Sequence, residues 1–482
     1  MSDHRTIFFL IGNLLAALAL GMLVPAMVDY ISGENDWLVF IASALVTGFI
    51  AGALILTNRG SLPPLSVKQA FLLTSSSWLA LTGFAALPLA FSDLGLSYTD
   101  AFFEAMSGLT TTGATIIVGL DDAPAGILLW RAMLQWFGGI GIIVMAISVL
   151  PMLNVGGMQL FRLESSDTSE KILPRTAQIA GSITKLYFAI SIACMLAYWV
   201  AGMGLFDAMA HAMTTIATGG FSTHDASIGA FQNSGVEVVG TFFMIAASLP
   251  FVAYLQAANG KFSVIWGDAQ VRMFATLLAL ATVSMWLYQM SYHPTDGGTA
   301  FLQAAFNTTS ILTGTGYATT DYGLWGPFAI SVFFILTFIG GCAGSTSCGL
   351  KIFRLQVLIK TGWRYVRQMT LPHGIFVIRY NGRPLANDVA NSIVAFVLIF
   401  ILSFALIGTS LTLMGLDTLT ALSASAAALA NVGPGLGPII GPSGTYASLP
   451  DGAKWILCFG MLLGRLEFLA VLVMFSPSFW RR

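Results

Sequence analysis

Residues 98–115 read YTDAFFEAMSGLTTTGAT, an amphipathic stretch with an acid near its start that runs into a threonine and glycine tail. The stretch is too short to cross a membrane, since a crossing helix needs about 20 apolar residues, and too apolar for an ordinary loop. The same plan returns at 204–222 (GLFDAMAHAMTTIATGGFS), 299–319 (TAFLQAAFNTTSILTGTGYAT) and 416–435 (LDTLTALSASAAALANVGPG). Each copy begins just outside one long apolar run and precedes another. The repeat is therefore span, half-helix, polar loop, span, four times over. Alignment on glycine puts Gly113, Gly219, Gly316 and Gly433 in register. Such a repeat can close around an axis normal to the membrane. Irregular backbone survives at membrane depth only where protein buries it or where it lines a watery path, so four converging loops should line a pore.

The rest of the chain fits this frame. Of 482 residues, 56% are hydrophobic and only 9% charged, against roughly 25% charged in a soluble domain, which excludes a cytosolic enzyme. Apolar runs predict ten spans, near 7–28, 37–57, 69–92, 127–150, 180–203, 236–257, 273–292, 326–340, 388–414 and 454–476. The first is read as a retained helix rather than a signal peptide. The expected fold class is an all-α polytopic membrane protein of about ten transmembrane helices and four half-membrane pore helices. It divides into an N-terminal helix pair (1–60) and pore repeats at 61–155, 156–265, 266–365 and 366–482. With the amino terminus inside, alternation leaves only Arg131 and Lys454 outside, and Arg465 within a span, of 21 basic residues. The positive-inside rule then makes both termini cytoplasmic. Most acids fall on the outer half, where they would concentrate cations. A net charge of −1 gives no sign of nucleic-acid binding. Cys194, Cys342, Cys348 and Cys458 lie in or beside apolar segments and imply no disulfide framework.

The loop chemistry fits ion coordination. The candidate filter residues are Thr111, Thr112 and Gly113; Ala217, Thr218 and Gly219; Gly314, Thr315 and Gly316; and Asn431, Val432 and Gly433. A half-helix followed by an extended Thr/Gly strand can aim carbonyls inward, where they replace the water shell of K+, and the carboxyl ends of the half-helices favour a cation. Thr315-Gly316-Tyr317 comes closest to the Thr-Val-Gly-Tyr-Gly filter of potassium channels. Below the third filter, Gly340, Gly341, Gly344 and Gly349 crowd around Ser345, Thr346 and Ser347. Each glycine costs about 1 kcal/mol in a helix, so the eighth span should break here, as an intramembrane gate or as a flexible cytoplasmic exit. Arg465 is placed mid-span in the last helix, where a charge must face the interior. It reads either as a hydrogen-bonded structural group or as a fixed charge that sets the barrier to cations. Glu467, two positions on, is a poor partner. His211 and His224 lack metal-ligand companions and read as satisfied polar residues. Arg131 beside Trp130 reads as an interfacial anchor, and Gly138-Gly139-x-Gly141 as a site of close helix packing.

Several separated motifs resemble the Trk/Ktr/HKT superfamily of potassium transporters, most of all its bacterial Trk-type membrane subunits. They are TTTGAT at 110–115, RAMLQWFGGIGIIV at 131–144, ATGGFST at 217–223, TGTGYATTD at 313–321, GGCAGSTSCGLK at 340–351, NVGPGLGP at 431–438 and GRLE at 464–467. The resemblance implies potassium uptake across the bacterial inner membrane through four linked repeats around one pore, with the 340–349 loop and Arg465 as gate. It also implies a homodimer, no cofactor held by this chain, and regulation by a separate cytosolic subunit that binds nucleotides (NAD, ATP or ADP). The basic stretch 351–383 offers that subunit a docking surface. Gly113 favours potassium, whereas Ala217, Gly314 and Asn431 make the filter degenerate. A symporter coupled to sodium or protons, and a transporter of low K+/Na+ selectivity, remain alternatives. An intramembrane hydrolase is the enzyme alternative, but no span pairs Ser or His with an activating partner.

Overall fold

The computed structural model describes residues 4–60, 65–148, 172–292, 296–466 and 468–481. Among them the chain is helical apart from loops and a two-stranded hairpin, Arg379–Tyr380 with Arg383–Pro384. Two long apolar helices, α1 (Arg5–Ser32) and α2 (Trp37–Thr57), precede four units. The first unit is α3 (Val67–Phe91), the short α4 (Tyr98–Leu109) and α5 (Ala125–Ser148). The second is α6 (Ile172–Val200), α7 (Leu205–Ile216) and a bent pair, α8 (Ser234–Ala247) with α9 (Phe251–Ala258). The third is α10 (Ala269–Tyr292), α11 (Gly297–Leu312) and α12 (Pro327–Phe338), followed by an amphipathic helix, α13 (Ile352–Thr370). The fourth is α14 (Asn387–Leu413), α15 (Thr418–Ala430) and α16 (Asp451–Arg465). The expected boundary between residues 155 and 156 lies outside the described residues.

The short helices α4, α7, α11 and α15 form where their caps allow. Ser97 accepts from Asp100 N, Asp296 from Gly298 N and Thr299 N, and Asp417 from Thr420 N, while Asp207 sits in the first turn of α7. The Ser97, Asp296 and Asp417 side chains satisfy amides that a helix start leaves unpaired, and the carboxylates of Asp207, Asp296 and Asp417 complement the positive end of the dipole. From Ala101 to Leu109 every side chain of α4 is buried, as is every one from Ala424 to Ala430 on α15. The short helices are thus the core, and the long helices wrap them. Apolar side chains on the outer faces, such as Leu20, Phe49, Leu56, Leu406 and Leu413, are exposed, as a surface facing acyl chains requires.

Three of the ten expected spans are not continuous. By length and composition seven helices among the described residues can cross a membrane, or eight if the bent pair is one span. The run read as 236–257 turns by 92° between Ala247 and Phe251, where Pro250 has no amide to continue the helix. The run at 326–340 stops at Phe338, ahead of the glycines. The last run ends its helix at Arg465, so this residue is the final residue of α16 and not mid-span. Glu467, and with it the end of the GRLE motif, lies outside the described residues.

Candidate ion pathway

The four loops leave their half-helices by one hydrogen-bond pattern. Thr112 N donates to Ser107 O, Gly219 N to Thr214 O, Thr315 N to Ser310 O and Val432 N to Ala427 O, at 2.8–2.9 Å. The residue just before each of these, Thr111, Thr218, Gly314 and Asn431, is left-handed, with φ of 53°, 51°, 79° and 52°. Three of the four carry side chains in a conformation that costs an L-residue roughly 1–2 kcal/mol, so the loop geometry outweighs local preference. This pattern corrects the register in the second loop: the equivalent of Gly113, Gly316 and Gly433 is Gly220, and Gly219 corresponds to Thr112. The φ values agree, at 87°, 80° and 86° for Gly113, Gly220 and Gly316.

At that level the loops abut in a closed cycle. A Cβ on Gly113 would strike the Gly219 carbonyl, and one on Gly220 the Thr315 carbonyl. One on Gly316 would lie 3.0 Å from Gly433 N, and one on Gly433 2.6 Å from Gly113 O. First meets second, second third, third fourth, and fourth first. Side chains brace the cycle from behind. Glu104 and Arg131 form a fully buried ion pair (Nε to Oε1, 2.8 Å). Arg131 also donates to Ser222 O of the second loop at 2.8 Å, and Glu104 accepts from Ile116 N of the first at 2.9 Å. The guanidinium stacks over Phe221 at 4.1 Å. Arg131 is therefore a strut between two loops, not an interfacial anchor. Gln135 Nε2 donates to Gly219 O at 2.7 Å and Tyr446 Oη to Gly433 O at 3.0 Å, so these two carbonyls are engaged by side chains. Asn431 Nδ2 reaches Thr112 Oγ1 at 3.0 Å, and Tyr317 Oη is hydrogen-bonded to Thr214 and Thr215. Gly138 and Gly139 press against Leu109 O and Ala217, the close packing their spacing suggested.

Beneath the cycle lies the glycine-rich loop. Gly340, Gly341, Ser345, Thr346, Ser347 and Cys348 are buried, with Gly344 and Gly349 half-buried, so the segment is not an exposed exit from a span. Gly344 and Gly349 are left-handed, at 78° and 72°. Ser347 Oγ donates to Thr313 O at the end of α11 (2.6 Å), and Cys348 Sγ lies 3.7 Å from Thr111 Oγ1. The loop also fills the break between α8 and α9. Cys342 N donates to Ser248 O, Thr346 Oγ1 to Ala247 O, and Phe251 N to Gly344 O, at 2.9–3.0 Å. Two interrupted helices meet, and each supplies the hydrogen bonds the other lacks. Arg465, which is buried, joins the same place. It donates to Gly138 O at 2.7 Å and Thr346 O at 3.5 Å, and contacts Cys348 Sγ. No carboxylate pairs with it among the described residues.

On the outer side, His224 is hydrogen-bonded to Asp121, which holds that carboxyl below the usual carboxylate range. Asp225 accepts from Gly119 N and Leu120 N. Together they tie the outer loops of the first and second units around a cavity of about 280 Å³ above the glycines. His211 is buried, with its ring nitrogens on Asp207 O and Ser222 Oγ, a satisfied polar residue as expected. Among the described residues no group of three or more His, Cys, Asp or Glu side chains could hold a metal ion.

Four unlike helix, half-helix, helix units fused in one chain, with buried loops at membrane depth, define a multi-pass membrane protein of fourfold pseudosymmetry. The chain belongs to the TrkH family, described as cation transport protein, which matches residues 38–482. It is 45% identical to the Trk system potassium uptake protein TrkI of Halomonas elongata, over 96% of this chain and 94% of the relative. It is 37% identical to the Trk system potassium uptake protein TrkH of Escherichia coli, over 99% of each. The crystal structure of the potassium transporter TrkH from Vibrio parahaemolyticus superposes with a TM-score of 0.92 at 36% identity, covering 99% of this chain and 100% of that one. Membership makes the chain a transporter rather than an enzyme.

Proposed function

We propose that this chain takes up potassium across the bacterial inner membrane as a gated, channel-like transporter, with both termini cytoplasmic. The observation that carries this reading is the closed cycle of four loops, each turned by a left-handed residue at the same step. K+ sheds water at Thr111–Gly113 and at 217–220, 314–316 and 431–433, where backbone oxygens replace its hydration shell. The half-helices present their negative ends to it from four sides. The glycine-rich loop, from Gly340 and Gly341 through Gly344, Ser345 and Thr346 to Gly349, closes the path below, and Arg465 adds a fixed positive charge at the closure. The names of the relatives, Trk system potassium uptake proteins, support potassium as the ion. A homodimer and a nucleotide-binding cytosolic subunit, docked on the basic inner face, complete the proposed assembly.

Low K+/Na+ selectivity is a second reading, favoured by one observation: the Gly219 and Gly433 carbonyls are already bonded to Gln135 and Tyr446. Fewer oxygens are then free for the ion than four equal loops would offer. Reversal potentials of the protein in liposomes, under opposed potassium, sodium and proton gradients, separate the readings. A potential that follows potassium alone supports the selective channel. One that follows sodium as well supports low selectivity, and a proton-dependent shift at fixed stoichiometry would replace the channel with a symporter.

A further inference from the structure

The first turn of α10 is bonded to three separate parts of the chain. Asp268 accepts from Gln270 N at 2.9 Å and so caps the helix. A second cap comes from 112 residues away: Asn381 Oδ1 accepts from Ala269 N at 3.1 Å, and its Nδ2 donates to Asp268 Oδ1 at 3.3 Å. Asn381 and Gly382 form the turn of the hairpin between α13 and α14, with φ of 45° and 78°, the left-handed pair that a two-residue turn favours. On another side Gln356 Nε2 of α13 donates to Ala269 O at 2.7 Å. On the third, the buried Gln270 side chain accepts from Ala343 N, at the tip of the glycine-rich loop, at 2.8 Å. That loop is a closed lasso. Leu350 N donates to Phe338 O and Gly340 N to Leu350 O, both at 3.0 Å, so its limbs join at the neck, and α13 starts directly beyond. Helix ends hold successive residues of its tip: Cys342 N reaches Ser248 O just after α8, Ala343 N reaches Gln270 on α10, and Phe251 N at the start of α9 reaches Gly344 O. The turn that anchors Ala343 is thus the turn bonded to the hairpin and to α13.

We propose that the first turn of α10 is a joint through which the hairpin and α13 set the position of the glycine-rich loop, with Gln270 as the positioning residue. The inference rests on the reading of residues 340–349 as the gate. A shift of about 1 Å carries a 2.8 Å hydrogen bond beyond bonding distance, so the loop tip is released without any helix unfolding. A buried amide left unpaired is costly, and the loop therefore favours two discrete positions, bonded to Gln270 or moved to another partner. Bistability of that kind turns a small displacement into an open or a closed path. The hairpin suits the role of input. Its turn needs no side chain, since glycine serves at both positions, yet Asn381 places both ends of its amide on α10. The hairpin is also held as a unit: Ile378, Tyr380 and Leu385 are buried, and Leu385 N donates to Ile378 O at 2.8 Å. Lys360 Nζ on α13 donates to Arg379 O at 2.8 Å, which ties the two inputs together. Displacement of either one by the cytosolic subunit proposed above acts on Gln270, and through it on Ala343.

The test uses the full-length protein, in neutral detergent for amide hydrogen exchange and in liposomes for rubidium flux. Exchange of residues 340–350 reads the glycine-rich loop, and exchange of 110–116 in the first pore loop is the control. Asn381→Gly keeps the turn and removes both bonds to α10. Gln270→Met is similar in size and removes the strong acceptor. Each is expected to speed exchange in 340–350 about fivefold, what one net hydrogen bond contributes, to leave 110–116 unmoved, and to raise rubidium flux several-fold. The double variant should exchange no faster than Gln270→Met alone, because both act through one bond. Unchanged exchange in Asn381→Gly, additive effects in the double variant, or an equal rise in both segments would overturn the joint. The gate reading fails separately. Faster exchange at 340–350 with unchanged flux would keep the joint and strike the gate, whereas unmoved exchange in Asn381→Gly beside a raised flux in Ser347→Ala would keep the gate and strike the joint.

Discussion

Gly219 and Gly220 are adjacent glycines with different demands on them. Gly220 is left-handed and a Cβ there meets the backbone of Thr315, whereas a Cβ on Gly219 meets only the end of the Gln135 side chain. A side chain can retreat; a neighbouring backbone strand cannot. Gly220→Ala and Gly113→Ala should therefore cut rubidium flux into liposomes by about tenfold or more, given a strain of roughly 1–2 kcal/mol before any clash. Gly219→Ala should lose much less, and equal losses at 219 and 220 would refute the corrected register. The Glu104 and Arg131 pair permits a stability test. Arg131→Met strands a buried carboxylate and should destabilise by about 3–5 kcal/mol, while adding Glu104→Gln to it should recover part of that loss. Thermal unfolding of both variants checks the pair, and a double variant no more stable than Arg131→Met would mean that Glu104 carries no charge worth compensating.

The interrupted helices are where element-level reading of the sequence reached its limit. The ten apolar runs and four half-helices were legible because burial in lipid imposes long apolar stretches, and because caps such as Ser97 and Asp417 mark helix starts. The glycines at 340–349 also announced a break. The break at Pro250 was passed over, because hydropathy alone reads 236–257 as one continuous span. What no local pattern could reveal is that the two breaks pair, since Ala247 and Thr346 meet only through the tertiary fold. Glu104 and Arg131 were hidden for the same reason, and the adjacent glycines at 219 and 220 left the register of the second loop to its hydrogen bonds. The pairing refines how a gate should be opened. Deleting residues from 342–348 removes the proposed plug but also strands Ser248 O and Ala247 O, each costing about 1–3 kcal/mol. Ser347→Ala removes the bond to Thr313 O and the acceptor of Gly341 N, and leaves the bonds to Ser248 O and Ala247 O in place. It should raise potassium flux several-fold at a cost of about 1–3 kcal/mol in stability, and a short deletion that keeps Cys342 and Thr346 should raise flux likewise. Flux unchanged in folded Ser347→Ala protein would count against this loop as the gate.

At the scale of the whole molecule, the cycle of loops has one seam that differs from the rest. Neighbouring units are joined by chain at three seams, but the fourth unit meets the first only after most of the sequence has intervened. Asn431 and Thr112 are 319 residues apart, against 103 for Thr214 and Tyr317 at the second seam. Loop-closure entropy rises only as (3/2)RT ln n, so the added cost is about 1 kcal/mol, which one well-placed contact offsets. The seam has several. Lys454 pairs with Asp100 at 2.6 Å, Phe102 packs on Trp455 and Phe103 on Tyr446, and Tyr446 N donates to Thr115 O at 2.9 Å. Tyr446 also fixes the Gly433 carbonyl, so here the contacts that close the ring are the ones that shape the proposed filter. Tyr446→Phe and Tyr317→Phe each delete a single buried hydroxyl and should cost a similar ~1–3 kcal/mol in stability. They should differ in selectivity: freeing Gly433 O at the unlinked seam lets the fourth loop shift, whereas Tyr317 holds only the end of α7. Under bi-ionic potassium and sodium gradients, Tyr446→Phe should move the reversal potential well beyond any shift in Tyr317→Phe. Equal shifts in the two variants would mean that the ring behaves as four equivalent seams, and that closure between the fourth and first units places no special demand on the filter.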